Sequence, residues 1–369
     1  MADIKLHKVT SNVRPIAFYL PQYHPIPEND KWWGKGFTEW TNVVKARPLF
    51  RGHYQPHLPA DLGFYDLRVP EIRQAQADLA REVDIYGFCY YHYWFEGRRV
   101  LERPFNEVLA SGKPQFPFCL CWANENWTRR WDGKDTEVLL EQTYSEEDDR
   151  RHGRWLVNAF RDDRYIRVED KPIFLVYKAS SIPNPIKTAT IWREEASKAG
   201  IGEIMLCSVE SHLVRHHVNP QALGFDAVVE FQPNTHIFAT PLQRVAWRMS
   251  RTFGLQNRSI RYDYGTMVEK VLQKRVPDYP YFRCVFPSWD NTARRKVGAV
   301  IFEGSTPDLY EKWLRMTIDG CKPNRSGETY IFINAWNEWA EGCHLEPCER
   351  WSHAYLDATQ RAMRGSFVR

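Results

Sequence analysis

Two glutamates near the carboxyl-terminal end of the chain have the spacing of an acid–base pair. Glu338 and Glu341 stand three residues apart, directly after an apolar run, and tryptophans occupy positions 336 and 339. If the chain enters a loop or a first helical turn there, both side chains can face one cleft. Hydrolysis of a glycosidic bond requires such a pair, because one carboxyl protonates the leaving oxygen while a second acts as base or nucleophile. Tryptophans would raise the pKa of a partly desolvated carboxyl. The simpler alternative is two solvated glutamates that cap a helix.

Further polar and aromatic residues follow apolar runs elsewhere in the chain. Tyrosine and histidine side chains there can bind sugar hydroxyls, and a tryptophan face suits the apolar C–H face of a pyranose. Any one of these tryptophans is more often structural. The residues that we predict from their positions to contact substrate are Tyr23, His24, His92, Tyr93, Trp94, Asn124, Glu125, Trp127, Trp289, Asp290, Trp336 and Asn337.

The elements that must position these residues alternate between apolar runs and amphipathic stretches. Each apolar run is continuous, which is typical of strands covered on both faces. Strands are predicted at 15–20, 86–93, 116–122, 172–177, 203–208, 227–231, 282–287 and 330–335. Helices are predicted at 69–86, 146–161, 186–199, 264–274, 306–319 and 352–364. Eight strands with intervening helices predict an α/β fold, a single (β/α)8 TIM barrel with its active site at the carboxyl ends of the strands.

Three long strand-to-helix loops carry the remaining length, at about 21–68, 232–280 and 288–304. We expect one catalytic domain over residues 1–369 with its core at about 14–360. The alternative is a doubly wound open sheet. Such a fold usually binds a nucleotide at a glycine-rich turn after its first strand. The corresponding segment, LPQYHP at 20–25, has no glycine, and no GxGxxG or GxxxxGK[ST] pattern occurs in the chain.

The composition is that of an ordinary globular protein with an excess of aromatic residues. The 369 residues include 50 Lys and Arg against 46 Asp and Glu, so the net charge of +4 is too small to indicate nucleic-acid binding. The chain has 15 Trp, 18 Tyr and 20 Phe, more than a core requires. No apolar run approaches a membrane span, and the first residues lack the apolar stretch of a secretory signal. The eight cysteines lie mostly in strand-like runs, so we expect free thiols and a cytoplasmic location.

Two groups of residues have some features of metal sites. His212, His216 and His217 are close in sequence but lack the glutamate of an HExxH motif. Cys343 and His344 precede Cys348, but a second pair of ligands is not visible. We therefore predict neither a metal nor a cofactor.

Five sequence blocks resemble the WbsX-type proteins of bacterial surface-polysaccharide gene clusters. The blocks are RPIAFYLPQYHP (14–25), WGKGFTEWTNV (33–43), GFCYYHYW (87–94), WANENW (122–127) and NEWAEG (337–342). That family is similar, more distantly, to the endo-α-mannosidases and endo-α-mannanases of glycoside hydrolase family 99, which are (β/α)8 barrels. Their strand-eight motif, Glu-Trp-His-Glu-Gly, matches residues 338–342 except that Ala340 replaces the histidine. This replacement leaves the two carboxylates in place and removes the substrate contact made by the histidine.

The resemblance implies a retaining reaction without a glycosyl-enzyme ester. Glu338 would deprotonate the sugar 2-hydroxyl, which attacks the anomeric carbon to give a 1,2-anhydro sugar, and Glu341 would protonate the leaving group. The substrate would be an α-manno- or α-rhamno-configured bacterial polysaccharide. The enzyme would bind it along an open groove and cleave it at internal linkages. The resemblance also adds Glu39 and Trp40 as substrate-contacting residues, although Thr38 before them could simply cap a short helix. Glu346, two residues after His344, would support the motif without touching substrate.

Two other functions compete with a hydrolase. Proteins of this family are often labelled glycosyltransferases of O-antigen or capsular polysaccharide biosynthesis, although the chain has no Asp-x-Asp motif. Transglycosylation by the same two glutamates is compatible with that absence. A non-catalytic sugar-binding barrel would be expected to lose one member of the pair. The expected partner is an oligo- or polysaccharide, with proximity to a membrane surface if the substrate is a lipid-linked precursor.

Overall fold

The computed structural model describes residues 12–129, 134–210, 218–235, 259–295 and 298–365. Eight parallel strands form a closed barrel, because the first strand pairs with both the second and the eighth and the fourth pairs with the fifth. The strands are β1 (Val13–Tyr19), β2 (Gly87–His92), β3 (Phe118–Trp122), β4 (Lys171–Val176), β5 (Met205–Glu210), β6 (Ala227–Glu230), β7 (Tyr281–Val285) and β8 (Thr329–Ile333). The predicted (β/α)8 barrel is confirmed, and each predicted strand overlaps one of these.

Burial on both faces explains the continuous apolar character of the strands. All five residues of β3 and of β8 are buried. Inside the barrel Phe18 packs against Tyr91, Phe231 and Phe332, with ring centroids 5.3–5.7 Å apart. Such large side chains fill the interior, so the barrel is a packed core and any site must lie at its rim.

Helices cover the barrel and extend its loops. They are α1 (Pro27–Trp33), α2 (Glu39–Lys45), α3 (Pro70–Glu82), α4 (Arg103–Ser111), α5 (Glu146–Phe160), α6 (Pro185–Lys198), α7 (Tyr264–Leu272), α8 (Pro307–Asp319) and α9 (Ala354–Gly365). The side chains of Ser145 and Thr306 cap α5 and α8 by accepting backbone N–H groups at 3.1 and 3.3 Å. Helices α1, α2 and α4 were not predicted from the sequence. Helix α4 is short, has Pro104 in its first turn and ends at left-handed Gly112.

Two loops at the carboxyl ends of the strands fold over the barrel mouth. The first, between β1 and α3, carries α1 and α2. The second, between β7 and α8, carries the strands Trp289–Asp290 and Val300–Glu303, which pair with each other. Val300–Glu303 also pairs with Ile260–Asp263, which comes from the loop between β6 and α7. The loop predicted at 232–280 falls partly outside the described residues, as do His212, His216 and His217. The proposed limits of the single domain stay a prediction.

Candidate active site

Three carboxylates surround one guanidinium at the barrel mouth. Arg294 Nη1 lies 2.8 Å from Glu341 Oε1, and Arg294 Nη2 lies 2.8 Å from Glu338 Oε2. Glu39 Oε1 accepts from Nε at 2.8 Å and from Nη2 at 2.5 Å. The side chain of Glu39 is fully buried, whereas that of Glu341 keeps 19% of its surface exposed. The two glutamates after β8 therefore face the same guanidinium, and a third glutamate from the first loop contacts it as well.

A short turn after β8 sets the direction of the glutamate pair. Asn337–Glu338 pairs with Cys343–His344, and residues 339–341 form the turn between them. Gly342 has a φ of 55°, and a Cβ there would lie 3.0 Å from the backbone and Cβ of Asp290. Only glycine meets both conditions without strain, so the loop after β7 can pack directly on the turn.

Asn337 joins this turn to the end of β1. Its Oδ1 accepts from the Leu20 N–H at 2.7 Å, and its Nδ2 donates to the Leu20 carbonyl at 3.0 Å. The Tyr23 hydroxyl donates to the Asn337 carbonyl and accepts from the Trp339 N–H. These amide and hydroxyl groups are occupied by the fold itself, and the substrate contacts expected of Tyr23 and Asn337 stay predictions.

Beneath the turn, Glu346 accepts hydrogen bonds from three buried donors. They are Tyr65 Oη at 2.8 Å, Gln76 Nε2 at 2.6 Å and Trp339 Nε1 at 2.6 Å. His344 stacks on Trp339 with ring centroids 3.7 Å apart. Burial raises the pKa of Glu346 to about 7, although its donors oppose the rise. Glu346 is thus hydrogen-bonded within the fold, and the supporting role that the resemblance implies for it stays a prediction.

The electrostatics of the cluster distinguish Glu338 from an ordinary surface acid. Burial raises the pKa of Glu338 to about 8; Arg294 opposes the rise and the negative charges of Glu341 and Glu39 add to it. Burial likewise raises the pKa of Glu39, against the opposing charge of Arg294. Burial would lower the pKa of Arg294, but the three carboxylates outweigh it, so the guanidinium stays charged. The site therefore holds a carboxyl that can exchange a proton near neutral pH.

The loop that carries Arg294 is fixed by Asp290. Asp290 Oδ1 accepts from the N–H and hydroxyl of Thr292 at 3.0 and 2.6 Å. His53 Nδ1 accepts from the Leu49 N–H at 2.9 Å, so His53 Nε2 carries the proton that it donates to Asp290 Oδ2 at 2.6 Å. Both carboxylate oxygens of Asp290 are thus hydrogen-bonded to groups that hold the loop in place.

Some predicted substrate residues lie near the carboxylates and others pack beneath them. Tyr93 is partly exposed, and its pKa is raised by burial and by the charge of Glu338, which places it near the pair. Trp127 packs edge-on against Tyr93 at 5.2 Å. Trp40 is buried against Tyr23 and Trp339.

Several other predicted residues are occupied by contacts within the fold. His92 and Trp94 stack on Trp155 and His152 of α5, at 4.5 Å in both cases. Asn124 accepts from the Lys178 N–H at 2.8 Å and donates to its carbonyl at 3.0 Å. The remaining predicted residues also have internal positions or partners: His24 contacts the Pro21 carbonyl, Glu125 faces the Lys178 ammonium, Trp289 is buried, and Trp336 packs on Phe88. Their substrate contacts stay predictions.

Arg294 and Tyr91 were not identified from the sequence. Arg294 stands in a polar loop beside Arg295, where an arginine is usually solvated. Tyr91, whose pKa is raised by burial and by Glu338, lay within a predicted strand and was not selected as a site residue. A polar loop directly after a barrel strand was the signal that could have identified Arg294.

Within the described ranges, no group of three or more His, Cys, Asp or Glu side chains could hold a metal ion. Cys343 Sγ donates to the Asn334 carbonyl at 2.8 Å. His344 Nδ1 donates to the Glu346 carbonyl at 2.9 Å, so its Nε2 accepts from His57 Nδ1 at 3.0 Å. The candidate ligands Cys343 and His344 are thus engaged in hydrogen bonds.

The fold and site define a (β/α)8-barrel protein with a buried acidic cluster at the carboxyl ends of its strands. The chain belongs to the family described as Glycosyltransferase WbsX, whose sequence profile matches residues 15–359. It is 44% identical over 349 residues to the protein WxcX of Xanthomonas campestris pv. campestris, in both strain B100 and strain ATCC 33913. The match covers 94% of this chain and 49% of WxcX, so the chain spans about half the length of these relatives.

Solved structures with the same fold include an endo-α-mannosidase of glycoside hydrolase family 99 from Bacteroides thetaiotaomicron. It aligns with a TM-score of 0.55 and 14% identity over 96% of this chain and 98% of that one. A glycoside hydrolase-like protein aligns with a TM-score of 0.56 and 13% identity over 98% and 97%. At such identities the likeness establishes the barrel architecture.

Proposed function

We propose that this chain is a retaining glycoside hydrolase that cleaves α-manno- or α-rhamno-configured linkages inside a bacterial polysaccharide. One observation carries the proposal: Glu338 and Glu341 converge on the same guanidinium at the barrel mouth, 2.8 Å from its two Nη atoms. The catalytic domain would occupy residues 1–369, with its core at about 14–360. The names of the structural neighbours, one of them an endo-α-mannosidase, agree with this substrate class.

The reaction would proceed in two steps through a 1,2-anhydro sugar. In the first step Glu338 takes the proton of the sugar 2-hydroxyl, O2 attacks the anomeric carbon, and Glu341 protonates the departing glycosidic oxygen. In the second step the Glu341 carboxylate takes a proton from water, which opens the three-membered ring, and Glu338 returns its proton to O2. Two inversions give overall retention. The 2-hydroxyl must lie anti to the leaving group, as in α-mannosides and α-rhamnosides.

The raised pKa of Glu338 supports its role as the base. A base works best when its pKa lies near the operating pH, because a weaker base has less drive to remove a hydroxyl proton. With a pKa of about 8, Glu338 is a far stronger base than a solvated glutamate. Glu341 is more exposed, which leaves it accessible to a leaving group and to water.

A second candidate is a glycosyltransferase or transglycosylase of O-antigen or capsular polysaccharide biosynthesis. The description of the matching family favours it. The same two glutamates would form the 1,2-anhydro sugar, and an acceptor hydroxyl would replace water in the second step. The chain has no Asp-x-Asp motif, so transfer from a metal-bound sugar nucleotide has no sequence support.

Within the described ranges, no helix is long and apolar enough to cross a membrane. We place the protein in the cytoplasm, where a lipid-linked glycan precursor at the membrane surface would be its substrate, and we expect no nucleic-acid partner. The net charge of +4 is compatible with that setting.

Product analysis tests the proposal. Wild type, Glu338→Gln and Glu341→Gln are incubated with α-mannan and α-rhamnan oligosaccharides, and products are followed by chromatography and anomeric NMR. We expect wild type alone to release a fragment that is α-configured at first, with each glutamine variant at least about 10³-fold slower. Glu349→Gln, an exposed residue nearby, is the control and should retain full activity. Chain extension with an added sugar nucleotide, without any hydrolysis, would instead establish the transferase.

A further inference from the structure

We propose that Arg294 is a positioning residue that holds Glu338 and Glu341 in register and favours the ionised form of Glu338, the proposed base. This inference rests on the proposed function for its role in turnover. It concerns a residue that neither the sequence motif nor any name of a relative assigns.

The geometry of the guanidinium fixes the two carboxylates relative to each other. A guanidinium is planar, and its N–H groups point in set directions within that plane. Because Nη1 is bonded to Glu341 and Nη2 to Glu338, each carboxylate is held by a different arm of one rigid group. A lysine ammonium is a point charge on a flexible stem and lacks this fork.

Glu39 fixes the orientation of the Arg294 guanidinium. Its Oε1 accepts from both Nε and Nη2 of Arg294, so the guanidinium plane has a defined orientation. Glu39 is the first residue of α2, where its backbone N–H donates to the Gln22 carbonyl at 2.9 Å. The next residue, Trp40, is buried and donates its indole N–H to the Tyr65 carbonyl at 2.8 Å. The first loop therefore anchors Arg294 through a side chain that is itself immobilised.

The charge balance around Glu338 gives Arg294 its second role. The groups whose charges bear on Glu338 come from the loop after β1, the end of β2 and the residue that follows it, α2, the loop after β7 and the turn after β8. They are Arg294, Glu39, Glu341, Tyr23, Tyr91, Tyr93 and Cys343. Arg294 is the cation of this set and the others are acids. Without its charge, ionisation of Glu338 would face two nearby carboxylates in a desolvated site, so protonation would be favoured.

The pH dependence of kcat/KM tests this role with three variants. Arg294→Gln should move the acid limb upward by about one pH unit or more, with at least a tenfold loss at neutral pH. Arg294→Lys should keep the limb within about 0.5 unit of wild type while kcat falls, because the charge remains and the fork is lost. Glu39→Gln removes a negative charge beside Glu338, so the limb should move downward. A residue that merely stabilised the fold would not give shifts of opposite sign.

A second measurement reads the protonation of Glu338 without turnover. Glutamate labelled with ¹³C at the side-chain carboxyl gives a signal for Glu338, assigned by its loss in Glu338→Gln. Its titration midpoint should rise in Arg294→Gln and fall in Glu39→Gln, with thermal unfolding used to show that each variant is folded. An unchanged midpoint in folded Arg294→Gln overturns the inference, even if wild type proves to be a transferase. Conversely, the expected shifts in a protein that hydrolyses no glycan would support this charge relation and leave hydrolysis itself refuted.

Discussion

At the scale of single residues, Glu346 accepts three buried hydrogen bonds beneath the site. Its three donors, Tyr65, Gln76 and Trp339, come from the first loop, α3 and the turn after β8. Removal of the acceptor would leave all three donors unpaired in a desolvated place. Each such donor costs free energy because its bond to water is lost on folding.

Glu346→Ala should therefore lower the free energy of unfolding by on the order of 3 kcal/mol or more. Urea denaturation measures this change. The matched control is Glu349→Ala, an exposed side chain three residues away, which should stay within about 0.5 kcal/mol of wild type. A loss for Glu346→Ala no larger than that of the control would show that the three hydrogen bonds contribute little.

The candidate site was only partly predictable at this scale. Glu338 and Glu341 lie close together in sequence, so a local pattern revealed them. Arg294 is 44 residues from Glu338 and 255 from Glu39. Its role in the site depends on contacts that exist only in the closed barrel, so no local sequence pattern could reveal it. His92 and Trp94 show the opposite effect, since α5 covers residues that a strand end alone would leave at the mouth.

At the scale of elements, Asn337 ties β1 to the turn after β8 through both of its side-chain atoms. An asparagine can donate to and accept from the backbone of one residue at the same time, whereas an aspartate can only accept. The bonded partner is the Leu20 backbone, at the point where the first loop leaves the barrel. This contact relates the segment bearing Glu39 to the segment bearing Glu338.

Asn337→Ala should cost about 2 kcal/mol of unfolding free energy, and Asn337→Asp should cost more because its carboxylate would face the Leu20 carbonyl. Asn158→Ala, on the exposed side of α5, serves as the control and should change stability by less than about 0.5 kcal/mol. Thermal and urea denaturation of the three variants give the comparison. Equal stability of the alanine and aspartate variants would contradict the donor–acceptor argument.

The elements themselves were largely evident from the sequence because most runs are long and uniformly apolar. The strand ends shifted by a few residues, which is expected where the last residues of a strand leave the ladder. Helix α4 escaped detection because its nine residues, with a proline near the start, are fewer than the window over which a helical period is recognised. Its beginning and end depend on local backbone conformation more than on apolar spacing.

At the scale of the whole molecule, two sets of buried titratable groups make the stability of the fold depend on pH in opposite directions. Burial lowers the pKa of five histidines, two of them to about 4, so the unfolded chain binds more protons than the folded one below about pH 6.5. Burial raises the pKa of Glu338 to about 8 and of Glu346 to about 7, so the folded chain holds more protons above about pH 4.5. The first group destabilises the fold as pH falls, and the second does so as pH rises. The five histidines are His24, His57, His92, His152 and His344.

The melting temperature should therefore be highest near pH 7 and fall on both sides, toward pH 5 and toward pH 9. Differential scanning calorimetry across this range, at constant ionic strength, measures it. In Glu346→Gln the decline above pH 7 should become shallower, since that carboxyl no longer has to ionise in a buried place. A melting temperature that rises steadily from pH 6 to pH 9 would contradict the raised pKa values of the two glutamates.

The barrel closes between its first and last strands, and that seam has a consequence for synthesis of the protein. Glu39 is translated 255 residues before Arg294, its partner in the folded chain. At the usual speed of a ribosome this separation corresponds to roughly 10 to 50 s. Throughout that interval β1 has no eighth strand to pair with, and a carboxylate destined for complete burial remains in water. The acidic cluster thus assembles only after β8 has emerged, so a chain that stops before Glu341 lacks the complete cluster.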